Sequence, residues 1–164
     1  MTVRPIRRFG DPVLRERAAP VGPVDARVRA LVADLLDTVA VPGRAGVAAN
    51  QIGVPVAAFA YNVDGRVGYL LDPELVEVRG EPELMDEGCL SVPDLTFPTP
   101  RHPWARSVGR DLDGDPVEVV GEGVLAEALQ HEQDHLEGRV YLQRLERDVR
   151  REAMAAVRRQ PWFA

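Results

Sequence analysis

The sequence predicts an α+β fold, with mixed or antiparallel sheets packed around a central helix that bears an H-E-x-x-H motif. Three observations predict it. Apolar residues recur at three- and four-residue steps from about Val24 to Val39. Strand-like runs broken by turn dipeptides fill the middle of the chain. A second helical run, Val124-Leu125-Ala126-Glu127-Ala128-Leu129-Gln130, then leads into His131-Glu132-Gln133-Asp134-His135. Helix, then strands, then helix is an α+β order. With 164 residues and 45% hydrophobic content the chain can bury one good core, so a single domain over residues 1–164 is expected.

In chain order, Asp11 is placed to cap a short helical turn with Pro12 at its first position. The helix from about Val24 to Val39 buries the stripe Val28, Leu31, Val32, Leu35, Leu36 and Val39, and Pro42-Gly43 ends it. Strands are expected over Val54 to Val63 and Val67 to Leu71, joined at Asp64-Gly65, a hairpin dipeptide. Leu75 to Val78 alternates apolar with acidic residues, the pattern of a half-buried strand. Residues 80–86 are acidic and contain a proline, so a loop is expected there. A second hairpin turns at Asp113-Gly114 and returns through Val117-Glu118-Val119. Gly121-Glu122-Gly123 breaks into the motif helix, and Gly138 stops it in a left-handed position. A last helix from about Leu145 to Arg159 closes the chain.

Composition narrows the function. The formal net charge of -6 argues against non-specific nucleic-acid binding by the whole surface. No apolar stretch approaches the roughly 18 residues of a membrane span. The arginines of the N-terminus have no hydrophobic segment behind them, so a cytoplasmic location is expected. One cysteine, Cys89, reads as a ligand or free thiol rather than half a disulfide. All 20 basic residues are arginine, which reads as a genomic bias more than a functional choice.

Chemistry concentrates in the H-E-x-x-H helix. His131 and His135, at i and i+4, lie on one helical face and can share a divalent cation, with Glu132 beside them for a proton. Cys89, in Glu87-Gly88-Cys89-Leu90-Ser91, is the candidate third ligand. Cysteine with two histidines leaves a fourth position open, the layout of a catalytic rather than a closed structural site. His102 competes as a ligand, although Pro100-Arg101-His102-Pro103 reads as a surface loop. A further block, Gly46-Val47-Ala48-Ala49-Asn50-Gln51, lets a substrate backbone come near, and the Gln51 amide could donate to a developing oxyanion. Gly46, Ala45 and Gly88 are the expected substrate-binding positions.

Three ordered blocks, Gly46–Gln51, Glu87–Ser91 and Gln130-His131-Glu132-x-Asp134-His135, resemble the signature motifs of the peptide deformylase family. The resemblance extends from Gly10-Asp11-Pro12-Val13-Leu14 to about Leu145. It implies a metal-dependent hydrolase that removes the N-formyl group from the initiator methionine of nascent polypeptides. Matched by position, Cys89, His131 and His135 would be the metal ligands and Glu132 the proton shuttle. Gln51 and the Leu90 backbone N–H would be the oxyanion donors, and Glu87 and Arg101 would brace the cysteine loop. A divalent ion lowers the pKa of water it holds. The donor set suits Fe(II), Zn, Ni or Co, with Fe(II) the usual metal of the family. The expected partners are N-formyl-methionyl nascent peptides and, through the arginines of the last helix, a transient ribosome contact; no membrane or specific nucleic acid is expected.

Some positions depart from the family pattern. Arg44 stands where the loop normally has its first glycine, which strains the backbone if that position needs positive φ, unless the turn shifts by one. Asp72-Pro73 replaces the usual Asn-Pro. Glu127 occupies a position of the motif helix where a pocket-lining apolar residue is common, so it either faces out or alters the methionine pocket. A relative acting on a specialised formylated substrate, or one that binds metal or formyl-peptides without turnover, is the alternative.

Overall fold

The structure is a computed structural model and describes residues 2–163. Its first helix, α1 (Ala26–Val39), starts where Asp25 caps the free N–H groups of Arg27 and Val28. Leu31, Val32, Leu35 and Val39 form its buried stripe, as the periodicity predicts. Strand β1 (Gly46–Ala48) follows and passes into a 3-10 turn over Ala49–Ile52. Then come β2 (Ala58–Val63), β3 (Arg66–Arg79), β4 (Glu83–Cys89), β5 (Val92–Arg101), β6 (Trp104–Arg110) and β7 (Pro116–Glu122). The motif lies on α2 (Val124–Leu136), and α3 (Arg147–Val157) closes the described chain.

Two antiparallel sheets form: five strands in the order β1-β2-β3-β6-β7, and the pair β4-β5. Strand residues alternate faces, and this alternation places the helices. Ala48, Phe59 and Leu70 project toward Leu125, Ala126 and Leu129 of α2. Their neighbours Val47, Ala58, Ala60 and Leu71 project toward Leu31, Val32, Leu35 and Val39 of α1. The two helices therefore cover opposite faces of the larger sheet. A third cluster, Val92, Tyr141, Leu142, Leu145, Ala153 and Val157, joins β5 to α3.

The structure corrects four expectations. Residues 80–86 are not a loop throughout, because β4 begins at Glu83; Glu83, Leu84 and Asp86 are exposed, while Met85, Glu87 and Cys89 are drawn inward. β5 takes in Pro100 and the buried Arg101, part of the stretch expected as a surface loop; it tolerates Pro93, Pro98 and Pro100 because it pairs only with β4 and leaves an edge where a missing donor costs nothing. Leu75 to Val78 is not a separate strand but the continuation of β3 past a bulge. At that bulge Asp72 takes φ 49°, and its carboxylate accepts from the Val21 N–H at 2.7 Å and Arg110 Nε at 2.9 Å. The first strand expected from Val54 starts only at Ala58; residue 56 makes an isolated bridge to Ala19. The hairpin at Asp64-Gly65 forms as expected, both residues having positive φ.

Candidate metal centre and active site

Three elements deliver the site. β4 carries Glu87 and Cys89 on one face by the two-residue strand period. α2 carries His131 and His135 on one face by the helical period. The 3-10 turn after β1 carries Gln51. Cys89 Sγ lies 3.3 Å from His135 Nε2, which lies 3.2 Å from His131 Nε2, and the three ligand atoms fall within 4.8 Å of one another. Nitrogens about 2.0–2.1 Å from a tetrahedral ion stand roughly 3.3 Å apart, so the separations fit a shared cation. Burial and its neighbour His131 lower the pKa of His135, which keeps it in the neutral form that ligates. His102 is not in this cluster; it sits between β5 and β6 with Nδ1 2.8 Å from the Gly80 carbonyl oxygen.

Behind the ligands runs a buried chain of charges. His131 Nδ1 lies 2.5 Å from Glu87 Oε1. The Glu87 carboxylate accepts two bonds from Arg101, each 2.7 Å, and Arg101 Nη1 donates to Asp134 at 2.8 Å. Glu87, Arg101 and Asp134 side chains are 0%, 3% and 2% exposed, so these are interior pairs whose contacts all count. Burial alone would raise the Glu87 carboxyl, but Arg101 and His131 outweigh it and hold it ionised. The Nδ1 contact orients His131 so that Nε2 faces Cys89 and His135. The sequence reading pairs Glu87 with Arg101; it misses His131 as their third member and Asp134 as their fourth. The Arg-Asp link joins β5 to α2 and has no local sequence signature.

Glu132 is buried and its Oε2 has no hydrogen-bond partner. Burial, reinforced by Glu87 and Asp134, pushes its carboxyl up to about 7, against the opposing pull of His131 and Arg101. Such a group can take and return a proton near neutral pH. Gly46 lies against it: a Cβ at position 46 would overlap the Glu132 carboxylate. Gln51 Oε1 accepts from the Ala48 N–H at 2.9 Å, which turns its amide nitrogen toward Ser91 Oγ, 3.1 Å away, and Cys89 Sγ, 3.6 Å away. Ser91 is a second residue that the sequence reading leaves without a role. Asn50 ties the same turn to α2 through the His135 carbonyl at 2.5 Å.

A cavity of about 470 Å³ opens onto Cys89, His131 and Glu132. Ala45, Gly46, Gln51, Gly88 and Leu90 line it, as does Glu127, which therefore does not face out. Arg44 also lines it without positive φ; the left-handed position is Gly43, φ 85°, so the turn has shifted by one residue. Arg44 Nη1 donates to the Thr38 carbonyl at the end of α1, 2.8 Å away.

An HExxH helix, a nearby cysteine and an unpartnered buried glutamate beside a cavity define a candidate metallohydrolase site. The sequence model of the polypeptide deformylase family matches residues 3–151. A peptide deformylase of Acidothermus cellulolyticus is 45% identical over 162 residues, 99% of this chain and 89% of that one. Peptide deformylase 1 of Corynebacterium efficiens is 40% identical, with 99% of both chains covered. The crystal structure of a peptide deformylase from Legionella pneumophila superposes with a TM-score of 0.88 at 34% identity, covering 98% of this chain and 100% of that one. The chain belongs to the polypeptide deformylase family, metal-dependent enzymes that remove the formyl group from nascent polypeptides.

Proposed function

We propose that this chain is one metallohydrolase unit over residues 1–164 that deformylates N-formyl-methionyl nascent peptides in the cytoplasm, with Cys89, His131 and His135 as ligands of one Fe(II). The observation that carries the reading is the convergence of those three ligand atoms beside the unpartnered oxygen of Glu132. A thiolate with two imidazoles also suits Zn, Ni or Co, and the family resemblance favours iron among them. The ion, when bound, supplies Lewis-acid activation of water and of the formyl oxygen.

The chain's own residues do the rest. Glu132 accepts the proton of the attacking water and passes it to the leaving amine as the C–N bond breaks, releasing formate and a free α-amine. The Gln51 amide and the Leu90 backbone N–H donate to the oxygen that becomes negative when the formyl carbon turns tetrahedral. Gly46, Ala45 and Gly88 leave room for the substrate backbone. Glu87 orients His131, and Arg101 holds Glu87 ionised. Arg158 and Arg159, exposed just beyond α3, make a transient contact with the ribosome that presents the substrate.

Anaerobically purified protein should hold close to one iron per chain and release formate from a formyl-methionyl tripeptide. Cys89→Ala should lose most of the metal in elemental analysis. Full metal occupancy in that variant would remove Cys89 from the ligand set.

A further inference from the structure

The proposed chemistry does not use Glu127, yet it stands in the same cavity. On α2 the cavity wall runs back from His131 through Ala128, Glu127 and Val124, the i−3, i−4 and i−7 positions of one helical face. Glu127 is thus one turn, about 5–6 Å, from a candidate ligand. Among the described residues no hydrogen bond or ion pair engages its carboxylate. Arg44, a cation in the same wall, is directed to the Thr38 carbonyl. Burial and the nearby Glu87 raise the Glu127 carboxyl above its ordinary range, which marks it as incompletely solvated. The other walls include Ala45, Leu90, Val92 and Leu95, all apolar, with Asp94 and Thr96 exposed at the rim.

A formylated residue has its α-carbon two bonds from the reacting carbon. With that carbon beside Glu132, a side chain of four or five heavy atoms running along α2 reaches the level of Glu127. Apolar walls with the Glu127 carboxyl one turn beyond the reacting centre, and Asp94 exposed at the rim, suit an aliphatic stem that ends in a hydrogen-bond donor or a cation. From this geometry we infer that Glu127 is a specificity-determining residue that extends the substrate range from formyl-methionine to formylated residues with such donor-tipped chains. The inference rests on the deformylase reading for the reaction and adds the residue that selects among substrates. Methionine still enters, because its unbranched thioether adapts to irregular walls. A purely hydrocarbon chain leaves the carboxyl without a partner and is disfavoured.

The test compares formylated tripeptides that differ only in the first residue: norleucine, methionine or lysine. The ratio of kcat/KM for lysine over norleucine should fall at least about tenfold in Glu127→Leu, with Glu127→Gln intermediate. Calorimetric binding of the same peptides in the Glu132→Ala background, where turnover is strongly slowed, should shift in the same direction. A ratio within twofold of the unsubstituted protein in both measurements would overturn the assignment. If no formate is released from any peptide, the deformylase reading fails, and the binding ratio still decides the role of Glu127.

Discussion

Glu132 is placed by packing rather than by bonds to its carboxylate. Oε2 has no partner, and the bare Gly46 backbone is what leaves space for the group. Two substitutions separate its placement from its chemistry. Glu132→Ala should keep metal while kcat falls by roughly 10²–10⁴-fold, the usual size of acid–base assistance. Gly46→Ala should keep metal as well, but its methyl must displace the carboxylate, so kcat should fall while the folded state persists. Measured turnover of either variant within a factor of two of the unsubstituted protein would move the proton role elsewhere. Both are readable against elemental analysis of the same samples. At this scale the sequence is informative: the helical spacing of His131 and His135 and the lone Cys89 name the ligand cluster before any coordinates. The Gly46 contact is not readable, because it joins residues 86 positions apart that only the packing of β1 on α2 brings together.

Among the elements, the β4-β5 pair and α2 are joined by Glu87, Arg101, Asp134 and His131 more than by apolar packing. Arg101→Ala would leave Glu87 and Asp134 facing each other's charge in the interior, and Glu87→Ala would leave Arg101 with one partner fewer. Removing one member of such a buried pair costs about 3–5 kcal/mol. Urea unfolding should show that loss for each variant, with metal affinity reduced too because His131 loses the group that orients it. A loss below about 1 kcal/mol would mean that the pair behaves as a surface pair does. The same two strands are where sequence patterning serves least. Acids in β4 and prolines in β5 both argue locally for loop. They are tolerated because Glu83 and Asp86 are exposed, Glu87 is paired with Arg101, and the prolines lie on a strand with one open edge. By contrast α1, α2 and the Asp64-Gly65 hairpin are legible, since their signals are local: a cap, a 3.6-residue period, a two-residue turn.

At the level of the whole molecule, buried charge makes stability depend on acid. Asp134 is held at about 2, against an ordinary value of 3.8, by Arg144 and Arg101 despite its burial. A carboxyl depressed in the folded state contributes stability above its unfolded value and loses that contribution as pH falls through the folded one. The window is therefore pH 4 to 2, and the size is about 2 kcal/mol. Urea midpoints followed from pH 5 to 2 should fall less steeply for Asp134→Asn, which starts lower at pH 7. Parallel curves for the two proteins would assign acid sensitivity to other groups; loss of metal on the acid side is common to both and cancels in the comparison.

The surface of α3 poses the last question of the whole molecule, its contact with the ribosome. Ala153 and Val157 of this helix are buried against Val92, Tyr141 and Leu142, so deleting it would strip the third core cluster along with any docking surface. Charge reversal is the cleaner intervention. Arg158 and Arg159 are exposed and lie beyond the acids Glu146, Asp148 and Glu152, so they present local positive charge on a chain whose net charge is -6. Arg158→Glu with Arg159→Glu should leave the urea midpoint and the formyl-peptide kcat/KM unchanged. Co-sedimentation with ribosomes at low salt should drop severalfold, and binding by the unsubstituted protein should weaken as salt rises, since exposed charges are screened beyond about 10 Å at 0.1 M. Equal co-sedimentation of the two proteins would leave α3 with a packing role alone.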